Sequence, residues 1–314
     1  MRFNPKARLD TGQVQNRRGS GAGGGGGFGF PVGGGGGGMK VGGGIGGILV
    51  LVLIFVVSQY AGGGGSTFPT GPISDDRPVS TDSQALSHCR TGADANEDPD
   101  CARVAVVNSV QSFWAEALPQ QANREYQHGD TVIFSDRVST GCGGATSQVG
   151  PFYCPPDQQV YLDTTFFEDM LENQLGGQGG DFAEAYVLAH EYGHHVQNLL
   201  GTMGRVRTQQ GESSDAVRLE LQADCYAGMW AKHATEAEDA NGQVFIENLT
   251  QQDIEEALDA ARAVGDDRIQ QRTSDRVNPD AWTHGSAEQR MRWFTTGRDQ
   301  GTLRACDTFA AKRL

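Results

Sequence analysis

Basic residues are scarce in this chain of 314 residues, where 25 Lys and Arg stand against 39 Asp and Glu and give a formal net charge of −14. Nucleic-acid-binding proteins neutralise phosphates with clustered Lys and Arg. The acidic part of the chain after residue 60 has no such cluster, which excludes nucleic acid as a partner. Internal repeats are also lacking, which excludes a repeat architecture.

Charge is absent from Val41–Tyr60, and Ile48–Val57 consists only of Ile, Leu, Val and Phe. Twenty helical residues span about 30 Å, the thickness of a bilayer's hydrocarbon core, so this run predicts a transmembrane anchor. A cleaved signal peptide is the alternative, although the residues that follow fit a cleavage site poorly. The net charge is +5 before the run and −19 after it. The positive-inside rule therefore predicts a cytoplasmic N-terminus and a single-pass protein with its remainder outside the cell membrane.

The segments on either side of this run are too rich in glycine and polar residues to form a core. Most of the 45 glycines lie early in the chain. Residues 1–40 are predicted to be a disordered cytoplasmic tail, and residues 61–97 a flexible stalk. Residues 98–314 are long enough to bury one full core and are predicted to be the folded domain.

Cysteine is absent from the first 88 residues, and all six cysteines follow the apolar run. An oxidising compartment would allow three disulfides there. The simplest connectivity pairs Cys89 with Cys101 and Cys142 with Cys154, leaving Cys225 with Cys306. Six cysteines permit fifteen pairings, so the connectivity stays open.

Apolar spacing predicts an α+β fold that is mostly helical with a small sheet. Helices are predicted over residues 98–118, 181–200, 215–233, 250–264 and 286–296. Two short strands are predicted, Thr131–Asp136 and Gln159–Asp163. Asp181 and Glu184 are spaced as a capping box at the start of the second helix.

The second helix contains "HEYGHH", residues 190 to 195. His190 and His194 are four residues apart, so both imidazoles lie on one face of a helix and can reach one metal ion. Glu191 is offset by about 100° and can reach a water on that metal without being a ligand. This spacing predicts a zinc site with a general base.

A catalytic zinc needs a third protein ligand, and the next helix supplies a candidate. Glu220 and Asp224 are again four apart, on a face that otherwise holds small apolar residues. Carboxylates on such a face are costly unless paired or bound to metal. We interpret Glu220 as the third ligand and Asp224 as the acceptor of a ligand histidine's other N–H. An ordinary solvated face is the alternative.

Four segments in order carry a family resemblance: "CGGATSQVGPFYCPPDQQVYLD", "GDFAEAYVLAHEYGHHVQNLLG", "ELQADCYAGMWA" and "THGSAEQRMRWFTTG". They resemble the bacterial family described as putative neutral zinc metallopeptidases, a zincin-type group with a single membrane anchor. The resemblance implies a zincin-like domain preceded by one transmembrane helix. It also implies that His190, His194 and Glu220 bind one catalytic Zn²⁺ and that Glu191 is the general base.

Two further histidines need an interpretation. His284 lies in "THGSAEQR", which is similar to a Thr-His-Pro segment of membrane zinc proteases, although Gly285 replaces the proline. It could donate a hydrogen bond to the oxyanion of the reaction, or it could cap the helix that begins near Ser286. His195 lies about 100° past His194 and cannot share the metal, so a supporting hydrogen bond or simple packing is expected.

The sequence thus predicts a membrane-anchored zinc endopeptidase that cleaves peptide or protein substrates outside the cytoplasmic membrane. In zincins an extended substrate pairs with an edge strand above the active-site helix, and Gln159–Asp163 is the candidate for that edge. The alternatives are a non-catalytic, zinc-stabilised envelope binding module and a zinc hydrolase of cell-wall peptides.

Overall fold

The computed structural model describes residues 1–19, 85–274 and 276–314, which form helices and short strands. The helices are α1 (Gly92–Ala95), α2 (Pro99–Ala122), α3 (Asp181–Leu199), α4 (Asp215–His233), α5 (Gln251–Ala263), α6 (Asp266–Thr273) and α7 (Ala287–Gln300). The strands are β1 (Arg2–Phe3), β2 (Val14–Asn16), β3 (Thr131–Phe134), β4 (Arg137–Thr140), β5 (Gly143–Thr146), β6 (Phe152–Cys154), β7 (Gln159–Asp163) and β8 (Ile246–Asn248). This composition is α+β, as predicted.

The predicted helices form, and most begin with a side chain that accepts from the first turn. Asp98 accepts from the backbone N–H groups of Asp100 and Cys101 at the start of α2. Ser286 accepts from Gln289 N–H at the start of α7. The predicted cap at Asp181 is wrong, because Asp181 is already helical and the residue before it is Gly180 at φ 107°. Helix α6 was not predicted, since its eight residues carry little apolar pattern.

The main sheet has the strand order β2-β3-β7-β6. Strands β2, β3 and β7 run parallel, whereas β6 is antiparallel to β7. Strand β7 (Gln159–Asp163) therefore lies inside the sheet, and the expectation that it is the edge is wrong. The edge beside helix α3 is β6, which is only three residues long and precedes β7 along the chain.

Helix α3 lies in the core and contacts both α4 and α5. Gly193 makes this close packing possible, because a Cβ atom there would lie 3.0 Å from the Cα of Ala223 in α4. Helices α4 and α7 pack still more closely, since a Cβ at Gly228 would overlap the carbonyl oxygen of Phe294. These contacts place the faces of α3, α4 and α7 around one pocket.

All six cysteines are in disulfides, and the simplest connectivity is confirmed. The pairs are Cys89–Cys101, Cys142–Cys154 and Cys225–Cys306. The second bridge joins the end of β6 to the turn of the β4–β5 hairpin. The third joins α4 to the segment after α7.

Residues 1–19 are folded rather than disordered, in contrast to the predicted tail. Strand β1 pairs with β8, and β2 joins the main sheet beside β3. Phe3, Ala7 and Val14 are buried. The prediction extended the glycine-rich composition back to residue 1, although that composition begins only near Gly19. The end of the predicted stalk is folded too, since Leu86 and Cys89 are buried.

The prediction of a preceding transmembrane helix needs correction. No helix among the described residues is both long enough and apolar enough to cross a bilayer. The predicted anchor, residues 41–60, lies outside the described residues. Residues 1–19 and 85–314 pack together, although the predicted single-pass topology places them on opposite sides of a membrane. The structure therefore does not support that topology or the extracytoplasmic location derived from it.

Candidate metal centre

The three predicted zinc ligands lie together between α3 and α4. His190 Nε2 is 3.3 Å from one carboxylate oxygen of Glu220, and His194 Nε2 is 3.4 Å from the other. One donor atom from each residue can be chosen so that all three lie within 4.8 Å of one another. Ligand atoms about 2.0–2.1 Å from a tetrahedral zinc are about 3.3–3.4 Å apart, so these spacings fit that ion.

The other nitrogen of each histidine contacts an acceptor, which fixes the ring tautomer. His190 Nδ1 is 2.8 Å from Asp224 Oδ1, and His194 Nδ1 is 2.8 Å from Gln197 Oε1. Each Nδ1–H therefore donates, and each Nε2 points towards Glu220. Outer hydrogen bonds of this kind orient histidine ligands in zinc sites. Asp224 thus makes the contact with a candidate ligand that its predicted role requires, and Gln197 makes the equivalent contact with His194.

Asp224 is fully buried and accepts hydrogen bonds from several side chains. The hydroxyl of Tyr186 donates to Oδ1 at 2.6 Å. Arg290, which extends from α7, donates to both oxygens at 2.9 Å. A buried carboxylate is tolerated only when it is paired and hydrogen-bonded, and Asp224 meets both conditions.

Glu191 lines the same pocket as the three candidate ligands. Its side chain is buried, and the backbone N–H of Tyr153 in β6 is among the groups that lower its pKa. Burial raises the pKa of Glu191, although the charges of His194 and His190 act against this effect. A carboxylate with a raised pKa is a better proton acceptor at neutral pH, which suits a general base.

His284 also lines this pocket, between α6 and α7. Asp266 holds its segment, because one carboxylate oxygen accepts the N–H groups of Thr283, His284 and Gly285 at 2.7–3.0 Å. The hydroxyl of Thr283 lies 2.9 Å from His284 Nδ1. The cap of α7 is Ser286, so the alternative in which His284 caps this helix is wrong.

Comparison with known proteins agrees with this geometry. The family model described as "Putative neutral zinc metallopeptidase" matches residues 1–309. The chain belongs to this family. The uncharacterized protein Rv2575 of Mycobacterium tuberculosis is 54% identical over 231 residues, which cover 73% of this chain and 77% of that protein. The uncharacterized protein YpfJ of Escherichia coli is 39% identical over 268 residues, which cover 83% of this chain and 86% of YpfJ. No solved structure matches the chain.

Membership of a zinc metallopeptidase family agrees with the electrostatics of the cluster. Burial would lower the pKa of His190, but the charge of Asp224 outweighs it and raises that pKa to about 10. Burial would raise the pKa of Glu220, yet His194 and His190 hold it well below its usual range. The carboxylates of the cluster are thus ionised, and protons on the imidazoles balance their charge. A divalent cation would displace those protons, so its affinity should rise with pH.

The sequence reasoning missed several residues that line the pocket or hold the residues that line it. Tyr186 and Gln197 were not identified, although Tyr186 is four residues from His190 and Gln197 is three from His194, so each lies near a candidate ligand on α3. Asp266 and Tyr153 were also missed, and no local spacing could have found them, because Tyr153 reaches the pocket from β6 and Asp266 holds the His284 segment from α6. His195 is outside the cluster, as predicted, and contacts Tyr153 instead.

Proposed function

We propose that this chain is a zinc-dependent endopeptidase. The observation that carries the proposal is the convergence of His190, His194 and Glu220, with both Nδ1 atoms bonded to acceptors and Glu191 in the same pocket. The donor set of two imidazoles and one carboxylate is that of catalytic zinc sites, which leave a fourth position for water or substrate. A purely structural site needs no adjacent base, so the position of Glu191 favours an enzyme over the binding-module alternative.

A zinc ion held by these three residues would lower the pKa of a water molecule to about 7 and polarise the substrate carbonyl. Glu191 takes the proton from the attacking water and later gives it to the leaving amine. Asp224 and Gln197 hold the two imidazoles with Nε2 directed at Glu220. Arg290 balances the charge of Asp224.

His284 is the proposed donor to the oxyanion that forms on the scissile carbonyl. Nδ1 of His284 contacts the Thr283 hydroxyl at 2.9 Å and Asp266 Oδ1 at 3.4 Å, so the donor to an oxyanion would be Nε2. Asp266 fixes the backbone of this segment through three N–H groups and so holds the ring in place. Removing one donor of this kind costs about 10²–10³ in kcat in other hydrolases.

The substrate is proposed to lie along β6, the edge of the main sheet. Gly150, Pro151 and Tyr153 of this region line the pocket opposite the candidate ligands. The remaining wall is largely apolar, formed by Val149, Phe166, Val187, Met203, Leu219 and Val264. A pocket of this character favours a peptide with an apolar side chain beside the cleaved bond. Such a peptide could come from a protein or from the cell wall.

The test is zinc analysis and cleavage by the full chain and by Glu191→Gln, with Glu116→Gln on the exposed face of α2 as the control. We expect all three proteins to retain zinc. The wild type and the control should cleave labelled casein or a cell-wall tetrapeptide, and Glu191→Gln should not. Zinc retention without cleavage of any of these substrates by the wild type would contradict the proposal.

A further inference from the structure

Tyr153 extends from β6 towards α3, where its hydroxyl contacts two side chains. The hydroxyl oxygen lies 3.0 Å from His195 Nδ1 and 2.9 Å from Asn198 Nδ2. His195 Nε2 lies 2.6 Å from the carbonyl oxygen of Gln127. A carbonyl only accepts, so the ring proton is on Nε2, and Nδ1 accepts from the tyrosine hydroxyl. The hydroxyl oxygen in turn accepts from the amide of Asn198. We name Tyr153, His195 and Asn198 the tyrosine clamp.

The members of the clamp join the edge strand to the helix that carries the candidate ligands. Tyr153 and His195 are buried, with 1% and 0% of their surfaces exposed. His195 directly follows His194, and Asn198 lies one turn after His194. The clamp residues therefore continue the segment of α3 that carries the candidate ligands. The hydrogen bonds of the clamp run from α3 to β6 and, through Gln127, to the segment before β3.

Tyr153 lines the pocket, and its side chain is held by the clamp. Tyr153 is opposite Val160 in the antiparallel pair of β6 and β7. Val160 N–H donates to the carbonyl of Asp130 on the β3 side, so this pair does not exchange backbone hydrogen bonds. The peptide N–H of Tyr153 therefore points away from β7, and it lowers the pKa of Glu191, which lines the same pocket.

We propose that the tyrosine clamp sets the position of β6 above α3, which makes Tyr153, His195 and Asn198 positioning residues for catalysis. This inference rests on the proposed function. The clamp fixes where the N–H of Tyr153 lies relative to Glu191, and it fixes where the edge of the sheet presents its backbone to a substrate peptide. It also explains the third histidine of "HEYGHH", which contacts the substrate-side strand and not the metal cluster.

The alternative is that these side chains only fill the core, and Tyr192 provides the matched comparison. Tyr192 is also on α3 and fully buried, and its hydroxyl contacts Thr131 Oγ1 and the carbonyl of Gly129, both at 2.9 Å. Its partners lie at the start of β3 and before it, and Tyr192 does not line the pocket. Removing either hydroxyl thus breaks two buried hydrogen bonds, but only the hydroxyl of Tyr153 belongs to β6.

The experiment compares the full chain with Tyr153→Phe and Tyr192→Phe by amide hydrogen exchange and by cleavage of a quenched fluorescent decapeptide. Each variant loses one oxygen atom, so both should fold with similar losses in Tm. We expect Tyr153→Phe to exchange faster than Tyr192→Phe at Phe152–Cys154. We also expect it to cut kcat/KM by about tenfold or more at unchanged zinc content, because small displacements are costly for catalysis. Tyr192→Phe should stay within about twofold of wild type.

Equal rates of amide exchange at β6 in the two variants would overturn the proposal that the tyrosine clamp positions this strand. So would an equal loss of kcat/KM at an equal loss of Tm. The exchange measurement does not depend on turnover. If the wild type cleaves no substrate, the proposed endopeptidase function fails, and the exchange rates at Phe152–Cys154 still decide whether the clamp positions the strand.

Discussion

The two sides of the pocket are built differently. On the helical side, His190, Glu220 and Asp224 form a charged network that Arg290 completes from α7. On the strand side, β6 is held by the hydrogen bonds of the tyrosine clamp and by the Cys142–Cys154 disulfide. Charge is therefore concentrated at the candidate metal site, and the three residues of β6 carry none. The difference implies that metal affinity and substrate positioning can be altered separately, which the following substitutions test.

The largest effect is expected from Asp224→Asn on the helical side. The substitution leaves the guanidinium of Arg290 buried without a charged partner, which typically costs about 3–5 kcal/mol of unfolding free energy. It also weakens the support of His190, so zinc affinity should fall by up to about 100-fold. Urea denaturation and competition with a chelator measure the two effects.

The double variant Asp224→Asn with Arg290→Met serves as the control, because it removes the unpaired charge. It should recover part of the stability but none of the zinc affinity. Stability and affinity that are both unchanged in Asp224→Asn would show that the charged network does not support the site.

Opening the Cys142–Cys154 disulfide tests the strand side. Cys142→Ser with Cys154→Ser should lower the unfolding free energy by about 3 kcal/mol, the usual magnitude for a loop of this size. It should also raise KM for a peptide, because β6 loses its link to the β4–β5 hairpin, while zinc affinity stays the same.

The Cys89–Cys101 disulfide is the matched control, since both bridges span 12 residues and constrain the unfolded chain equally. Cys89→Ser with Cys101→Ser should lose similar stability but keep the wild-type KM. Equal changes of KM in both double variants would contradict a specific role for the strand side.

A smaller effect is expected from Gln197→Leu, which removes the acceptor of His194 Nδ1–H. A buried donor left without a partner costs about 1–3 kcal/mol. The zinc affinity should fall by about tenfold, the lower end for such support, because the amide is neutral where Asp224 is charged. Isothermal titration with zinc measures this loss, and a loss larger than that in Asp224→Asn would reverse the comparison.

The smallest effect concerns pH and Asp266. Backbone and His284 hydrogen bonds outweigh burial and lower the pKa of Asp266 in the folded protein. A lowered folded-state pKa contributes stability that is present above the unfolded value of 3.8 and is lost as pH falls through the folded value. The difference in unfolding free energy between wild type and Asp266→Asn should therefore shrink as pH decreases from 7 to 3. A difference that stays constant over this range would contradict the lowered pKa.

The helical side and the strand side of the pocket also differ in how much could be predicted from the sequence. His190, Glu191 and His194, and likewise Glu220 and Asp224, follow helical spacing, so local periodicity was enough to group them. The start of α4 at Asp215 and the caps at Asp98 and Ser286 were equally local features. Residues that enter from separate elements gave no such signal.

The strand side depends on topology that a single sequence does not reveal. Gln159–Asp163 had the stronger strand pattern and was taken as the edge, although the three residues of β6 cover it on that side. The pairing of β2 with β3 joins residues more than 100 positions apart, so the fold of residues 1–19 could not be inferred from their own composition. Contacts across such distances along the chain carry no local pattern.

X-ray absorption at the zinc edge of the full chain tests most directly whether His190, His194 and Glu220 bind zinc. We expect one zinc per chain with two imidazoles, oxygen ligands and nitrogen distances of about 2.0–2.1 Å, and no sulfur. All six cysteines are already in disulfides. A sulfur ligand, or a shell that contains no imidazole, would contradict zinc binding by these three residues.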